Sequence, residues 1–510
     1  MEPIITDSAP GMSALVTGHK ANNNQVGVYP DNTLDDALDN PRVEYLGELL
    51  RRLRGEGFNV GLVTTADVAD ATPAGNAVHT ANRDDLPPIA ARYLDERRTN
   101  GVTVLLGGGS RHFLPGSVEG SSRPDERPLL EEFVAAGYHH LETATELEAL
   151  LERGDVPDRL LGLFHPRHMN VAFDKVGAGD YSEELRDPYY DGLRDQPMLD
   201  AMTRLALASL ERHSPDGFYL MVEGASIDKQ AHAVDADRTI WDTIEFDNAV
   251  RVALEFAART NGDADPDNET LVIVASDHET GGMAIAGVGN ERYAPAAVGL
   301  AVRDYAAVYR FEPRQVLDFF PDYEPGPDGF PLHPDPSRKL LMGWGAAPDR
   351  YENWISNRFM ANPAIFVRRP DAPEGMPPRR AAMAVANPER DGPGADADNE
   401  TVDGVAIPGF LVGGIIENGA TACPAPDGCP ADTGAMPQTI GGHTGSDVPI
   451  SASGPGAIQF TGTFDNTDVF RKILGAVGGS YGEGLTPPWM EPDAPPPGEG
   501  DGAGGGGARR

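Results

Sequence analysis

Phe218-Tyr-Leu-Met-Val222-Glu223-Gly-Ala-Ser-Ile-Asp228-Lys229-Gln-Ala-His232 decides the fold class. It opens with a continuous apolar run that ends abruptly on a carboxylate, then a glycine and a serine, then a helical spacing. An apolar run of that length with no polar alternation reads as a strand buried on both faces, which is the habit of parallel sheets covered by helices. The same texture recurs at 59–65, 102–106, 160–164 and 271–275, separated by amphipathic stretches at 43–54, 197–212 and 239–259. Strands alternating with helices predict an α/β protein, a three-layer sandwich around a largely parallel sheet.

Working outward, the texture changes after Gly282. Residues 283–438 are rich in Pro, Gly and Asp and read as a large insertion or cap, dividing a core of 1–282 from its return at 439–480. The return includes a last helix near 465–474. Residues 481–510 are a Pro/Gly-rich tail whose composition predicts disorder. Cys423 and Cys429 lie in a Pro/Gly/Asp loop with no further Cys or His nearby, which fits a small disulfide, or two free thiols, better than a metal site.

The 510 residues, 40% of them hydrophobic, suffice for a large core. A net charge of −38 argues against a nucleic-acid groove or a surface for anionic lipid. The longest apolar stretch, 404–416, is short and broken by Pro408, so no membrane span is predicted. The first residues show no basic region followed by an apolar core, so no signal peptide is visible.

Metal-ligating side chains gather at the predicted strand ends, where α/β sheets build their sites. Asp228 and His232 are four apart and share one face of a helix, while Glu223 sits at the strand exit where a second ion would fit. Asp277 and His278 leave the strand at 271–275 side by side, followed by a Gly pair that permits a tight turn. His443 is held between glycines. Asp70 and Thr72 offer oxygen ligands suited to Mg²⁺, and Arg83 carries a planar fork matched to two phosphoryl oxygens. Ser8 opens a helical stretch ending near Thr17-Gly18, either as an ordinary helix cap or as a hydroxyl in the anion-friendly field of a helix start. The bland alternatives are capping carboxylates, a structural histidine and a helix-surface ion pair for Arg83. Asp263, Asp265 and Asp267 lack the Gly and Glu of a calcium loop and read as a solvated turn.

Together these segments resemble the alkaline phosphatases. Asp7-Ser8-Ala9 with Thr17-Gly18, Val63-Thr-Thr-Ala66 before Ala71-Thr-Pro-Ala74, Met221-Val-Glu-Gly-Ala-Ser-Ile-Asp-Lys-Gln-Ala-His232, Ala275-Ser-Asp-His-Glu-Thr-Gly-Gly282 and Gly442-His-Thr-Gly445 occur in the family's order. The match spans roughly residues 4–282 and 440–458. The resemblance implies a phosphate-monoester hydrolase with Ser8 as the nucleophile that becomes phosphoserine. It implies one Zn²⁺ held by Asp228, His232 and His443, and a second by Asp277, His278 and Ser8. It further implies Mg²⁺ at Thr72 and Glu223, with Asp70 acting through water, Arg83 clamping phosphate, and Lys229 reaching phosphate through water. Small phosphate monoesters as substrates, a homodimer and a periplasmic or extracellular location follow from the same resemblance.

Two departures stand out. Pro10, Gly11 and Met12 follow the nucleophile where the family carries small residues. The family also places a strand ending in an Asp-Gly motif well before the nucleophile, and its Asp ligates metal; with seven residues before Ser8, the sequence reads as a fragment or wrong start lacking that N-terminal segment rather than as a defective molecule, and the expectation for this chain alone is weak binding of the second zinc and little turnover. A weakly catalytic metal- or phosphate-binding relative and a phosphodiesterase of the same superfamily are the other readings, the latter disfavoured by Ser8 with Lys229 and Arg83.

Overall fold

The computed structural model describes residues 5–30, 40–176, 192–232, 236–265, 267–290 and 442–478, with 326–327, 329–330 and short strand segments between 338 and 411. In chain order the core runs through α1 (Ser8–Thr17), α2 (Leu46–Arg54), β1 (Asn59–Asp67), α3 (Ala71–Ala74), α4 (Leu86–Asp95), α5 (Arg97–Asn100), β2 (Val102–Gly108), α6 (Leu129–Ala135), β3 (His139–Leu141), α7 (Ala144–Arg153), β4 (Leu160–Leu163), α8 (Ala172–Lys175), α9 (Leu199–His213), β5 (Phe218–Glu223), α10 (Ser226–His232), α11 (Ala236–Thr260), β6 (Val272–Ala275) and β7 (Glu279–Thr280).

Five strands form one sheet in the order β3-β4-β2-β1-β5, and every neighbouring pair is parallel. Successive side chains of a strand face opposite sides, and the core divides accordingly. Val60 and Leu62 of β1 and Leu105 of β2 pack with Ala9 and Met12 of α1, Leu46 and Leu49 of α2, and Ile89 and Tyr93 of α4. Val63 of β1 and Val104 and Leu106 of β2 pack with Leu147 of α7 and with Leu199, Met202 and Leu205 of α9. The result is the three-layer α/β sandwich that the apolar runs predict. β3 escapes the sequence reading because a three-residue strand containing His139 and His140 carries no apolar run.

β5 takes the outer place. Phe218, Leu220 and Val222 are half-buried, and beyond β5 no further strand pairs with it among the described residues. β6 instead pairs antiparallel with Ile450–Ser453, and β7 with His443–Thr444. These two ladders carry the chain's late segment back to the strand ends. The last helix spans Thr467–Gly478, a few residues later than its sequence signal. Within the predicted insertion, Met283–Asn290 pairs antiparallel with Arg338–Trp344. Cys423 and Cys429 and the tail at 481–510 lie outside the described residues.

α1 begins at Ser8 because Asp7 caps it, accepting the Ala9 N–H at 2.8 Å. The sequence alternative of Ser8 as the cap therefore fails: Ser8 is the first helical residue and its hydroxyl is free for other work. Pro10 is accommodated because N–H groups of a first turn need no helical acceptor. Gly11 is needed for closeness, since a Cβ there would lie 3.2 Å from the Asp277 Cβ.

At the exit of β2, Gly108 lies against the loop before α8: a Cβ on it would fall 1.9 Å from the Arg167 carbonyl oxygen. Gly109 donates its N–H to the carbonyls of His165 and Arg167 at 2.8 and 2.9 Å, fixing that loop beside the strand ends. Gly108→Ala is expected to cost about 1–3 kcal/mol through this overlap, read as a lower denaturant midpoint; an unchanged midpoint contradicts the packing.

Candidate active site

The strand ends and helix starts converge on one cluster. Asp228 and His232, one turn apart on α10, meet His443 from the far end of the chain, and their ligating atoms all lie within 4.8 Å of one another. The His443 Nε2 is 3.0 Å from the His232 Nε2 and 3.6 Å from the Asp228 Oδ1. The His443 Nδ1 lies 2.7 Å from the Thr6 carbonyl oxygen, which fixes the ring proton on that side and leaves the Nε2 lone pair facing inward. Two imidazole nitrogens and a carboxylate gathered this tightly is the donor set of a zinc-type cation.

His278 stacks on His443 with ring centroids 3.6 Å apart. Its Nε2 lies 3.0 Å from the Ser8 Oγ and 3.3 Å from the Asp277 Oδ2. That Asp277 oxygen is buried and accepts no hydrogen bond. A buried carboxylate oxygen without a donor is costly, and together with the His278 nitrogen and the Ser8 hydroxyl it forms a second set that fits a cation.

The third group is all oxygen. The Glu223 carboxylate at the end of β5 accepts the Thr64 hydroxyl at 2.6 Å, and Thr72 of α3 is among the groups that hold its pKa down. Asp70, the cap of α3, is held by the Lys229 Nζ at 2.7 Å and by Arg83 at 3.1 Å. Arg83 extends its other nitrogen to Asp7 at 3.0 Å, linking the cap of α1 to the cap of α3. It lies in a turn and bridges two partly buried carboxylates, so the surface-pair alternative for Arg83 fails.

The charges are mutually dependent. Burial alone would raise the Asp70 pKa, but Lys229, His168 and Arg83 hold it well below the ordinary carboxylate range. Burial opposes the Lys229 charge, and Asp70 outweighs it and pushes the ammonium pKa up. Burial likewise opposes ionisation of Asp228, and the nearby His443 imidazole, the His232 charge and the Thr280 hydroxyl bring its pKa well down. Burial lowers the His278 pKa, keeping that ring neutral and able to donate a lone pair. Glu223 is the exception: burial, then the charge of Asp70, push it up to about 7.

All the sequence-derived candidates, Ser8, Asp70, Thr72, Arg83, Glu223, Asp228, Lys229, His232, Asp277, His278 and His443, lie in this connected arrangement. The sequence reading missed Asp7 as a partner of Arg83, Thr64 and Thr280 as hydroxyl donors, and His168, whose Nδ1 accepts the Asp67 N–H at 3.0 Å and lies 3.9 Å from Asp70. Thr280 had a signal, standing two residues after the candidate ligand His278, whereas Thr64 lies inside β1 and had none. His168 had none, because its loop is placed by β2.

Residues 1–317 match the family model described as alkaline phosphatase. The chain belongs to the alkaline phosphatase family. It is 32% identical to alkaline phosphatase 4 of Bacillus subtilis over 57% of this chain and 52% of that one. It is 27% identical to alkaline phosphatase 3 of the same organism over 93% of this chain and 78% of the relative. It thus spans about half the length of the former. Its fold is similar to that of the alkaline phosphatase from the Antarctic bacterium TAB5, with a TM-score of 0.50 at 20% identity, covering 92% of this chain and 84% of the other.

Glu223 makes the stability of the fold depend on pH. The folded protein holds it at about 7 against an ordinary 4.5, so the folded state favours the protonated acid and loses stability as pH rises from about 4 through 7. Glu223→Gln removes that loss. In chelator-treated protein the variant is expected to melt above the parent at pH 8, with the difference vanishing near pH 4; a variant no more stable at pH 8 contradicts the assignment.

Proposed function

We propose that this chain hydrolyses small phosphate monoesters through a phosphoserine at Ser8, in a site that takes two Zn²⁺ and one Mg²⁺. The observation that carries the reading is the Ser8 hydroxyl 3.0 Å from a His278 ring that is itself stacked on the Asp228–His232–His443 cluster. Asp228, His232 and His443 would hold one zinc, and Asp277, His278 and Ser8 the other, nitrogen and carboxylate donors suiting that metal. Thr72 and Glu223, with Asp70 through water, form an oxygen-only set suited to Mg²⁺. Bound divalent cations supply positive charge that lowers the serine pKa and offsets charge on the phosphate and leaving oxygens.

The chain's own residues perform the rest. Asp7 turns α1 so that Ser8 faces the cluster at the positive end of the helix, where an anion is favoured. The Ser8 oxygen attacks phosphorus in line with the departing alkoxide, and water later displaces the serine along the same axis. Arg83, anchored at Asp7 and Asp70, presents a fork for two phosphoryl oxygens, while Lys229 adds charge from the side of Asp70. Thr6 and Thr280 hold His443 and Asp228 in the orientation that the cluster needs. Export and a homodimer are supported by the family resemblance alone.

Assays with p-nitrophenyl phosphate test the reading. Ser8→Ala is expected to reduce turnover by about a thousandfold or more, and mass spectrometry of acid-quenched enzyme should place the phosphoryl group on the Ser8 peptide. Arg83→Ala is expected to weaken inorganic phosphate binding by about tenfold to a hundredfold, measured by competitive inhibition. Chelation should abolish turnover and Zn²⁺ with Mg²⁺ restore it. Full activity of Ser8→Ala overturns the reading.

A further inference from the structure

A second serine stands at the end of a different hydrogen-bonded relay. Asp67 closes β1 with its side chain 1% exposed, and its Oδ2 lies 2.7 Å from the Nε2 of His112. His112 is equally buried, and its Nδ1 lies 2.6 Å from the Oγ of Ser122, an exposed residue. The three come from β1, the short helical turn after β2 and the loop before α6, so no local sequence pattern joins them.

The Asp67 carboxylate orients the ring. Its oxygen, at 2.7 Å, is the nearer of two partners of Nε2, the Arg111 Nε lying 3.3 Å away; with the proton on Nε2, toward the carboxylate, the neutral ring has its lone pair on Nδ1, facing the Ser122 hydroxyl at 2.6 Å. The other Asp67 oxygen accepts the Ala69 N–H at 3.0 Å, so the carboxylate cannot swing away. Gly109 passes so close that a Cβ would fall 2.1 Å from that oxygen. The loop is pinned as well: the Ser122 N–H donates to the Arg111 carbonyl at 3.0 Å, and Arg123 donates to the His112 carbonyl at 3.1 Å while forking onto Asp125. This is the serine–imidazole–carboxylate relay of serine hydrolases with the ring turned end for end.

We propose that Ser122 is a second nucleophilic serine, an acceptor of acyl groups from activated esters of small carboxylic acids, with His112 as its general base and Asp67 orienting the ring. The Ser122 Oγ bonds to the ester carbonyl carbon as its proton passes to the His112 Nδ1. The carbon–oxygen bond to the alcohol then breaks, and the same proton leaves with the departing oxygen. Water repeats the sequence to release the carboxylic acid.

Ser117 provides an internal control, being an exposed serine whose hydroxyl meets the Glu126 carboxylate at 2.6 Å with no imidazole in its hydrogen bonds. The intact chain is treated with 4-nitrophenyl acetate, quenched, digested and mapped by mass spectrometry. The expected result is acetyl on Ser122 forming about a hundredfold faster than on Ser117. His112→Gln should remove that preference, and Ser122→Ala should lose the label while phosphate-ester hydrolysis is unchanged. Equal labelling of Ser117 and Ser122 in the parent overturns the proposal, as does unchanged Ser122 labelling in a His112→Gln variant with parental circular dichroism. The parent comparison decides the matter even if His112→Gln does not fold, and it is independent of the reaction at Ser8.

Discussion

The site depends on one ring. His443 binds the Thr6 carbonyl through Nδ1, meets His232 and Asp228 through Nε2, and lays its face on His278. Its neighbour Thr444 pairs with Glu279 in the β7 ladder. The segment before α1, the helix α10, the exit of β6 and the late return of the chain are thereby held at one point. Each contact is modest, but an imidazole with two directional nitrogens and a flat face is fixed in all orientations once three are satisfied. Its fixed position then places the donor atoms of Asp228 and His232 and, through His278, the Ser8 hydroxyl.

A chain carrying a net charge of −38 has assembled a site in which most of the carboxylates have a cationic or imidazole partner. Asp70 is shared by Lys229 and Arg83, Asp7 is joined to Arg83, and Asp228 faces His232 and His443. Desolvated carboxylates demand this, since an unpaired buried charge costs several kcal/mol while a paired one is tolerated. Glu223 and Asp277 are the least well answered, the one pushed up to about 7 and the other with an oxygen accepting no hydrogen bond. These are the places where the proposed divalent cations would complete the balance. Among the described residues the site thus has a local charge balance that the net charge of the sequence does not reveal.

Much of the fold is legible in the chain because β1, β2, β4 and β5 are largely apolar runs, and a strand covered by helices leaves a direct composition signal. The helices α9 and α11 show as amphipathic periodicity for the same reason. The candidate ligands are legible because α/β sheets expose strand ends, so an acid or histidine directly after an apolar run is conspicuous. β3 and α3 were not legible: they are three and four residues long and stabilised by neighbours rather than by their own pattern. Arg83 looked like an ordinary surface arginine, because the carboxylates that define it lie 76 and 13 residues away.

The sequence by itself determined the α/β class, the alternation of strands and helices, and the identity of the groups that surround the site, because each leaves a mark within a window of a dozen residues. Only the tertiary structure decided that Asp7 rather than Ser8 caps the first helix, that His168 stands beside Asp70, and that Asp67, His112 and Ser122 form a relay. Those outcomes depend on contacts between residues far apart in the chain and on which nitrogen of a ring meets which oxygen. Local periodicity carries no information about either, since both are set by the packing of the helices against the sheet.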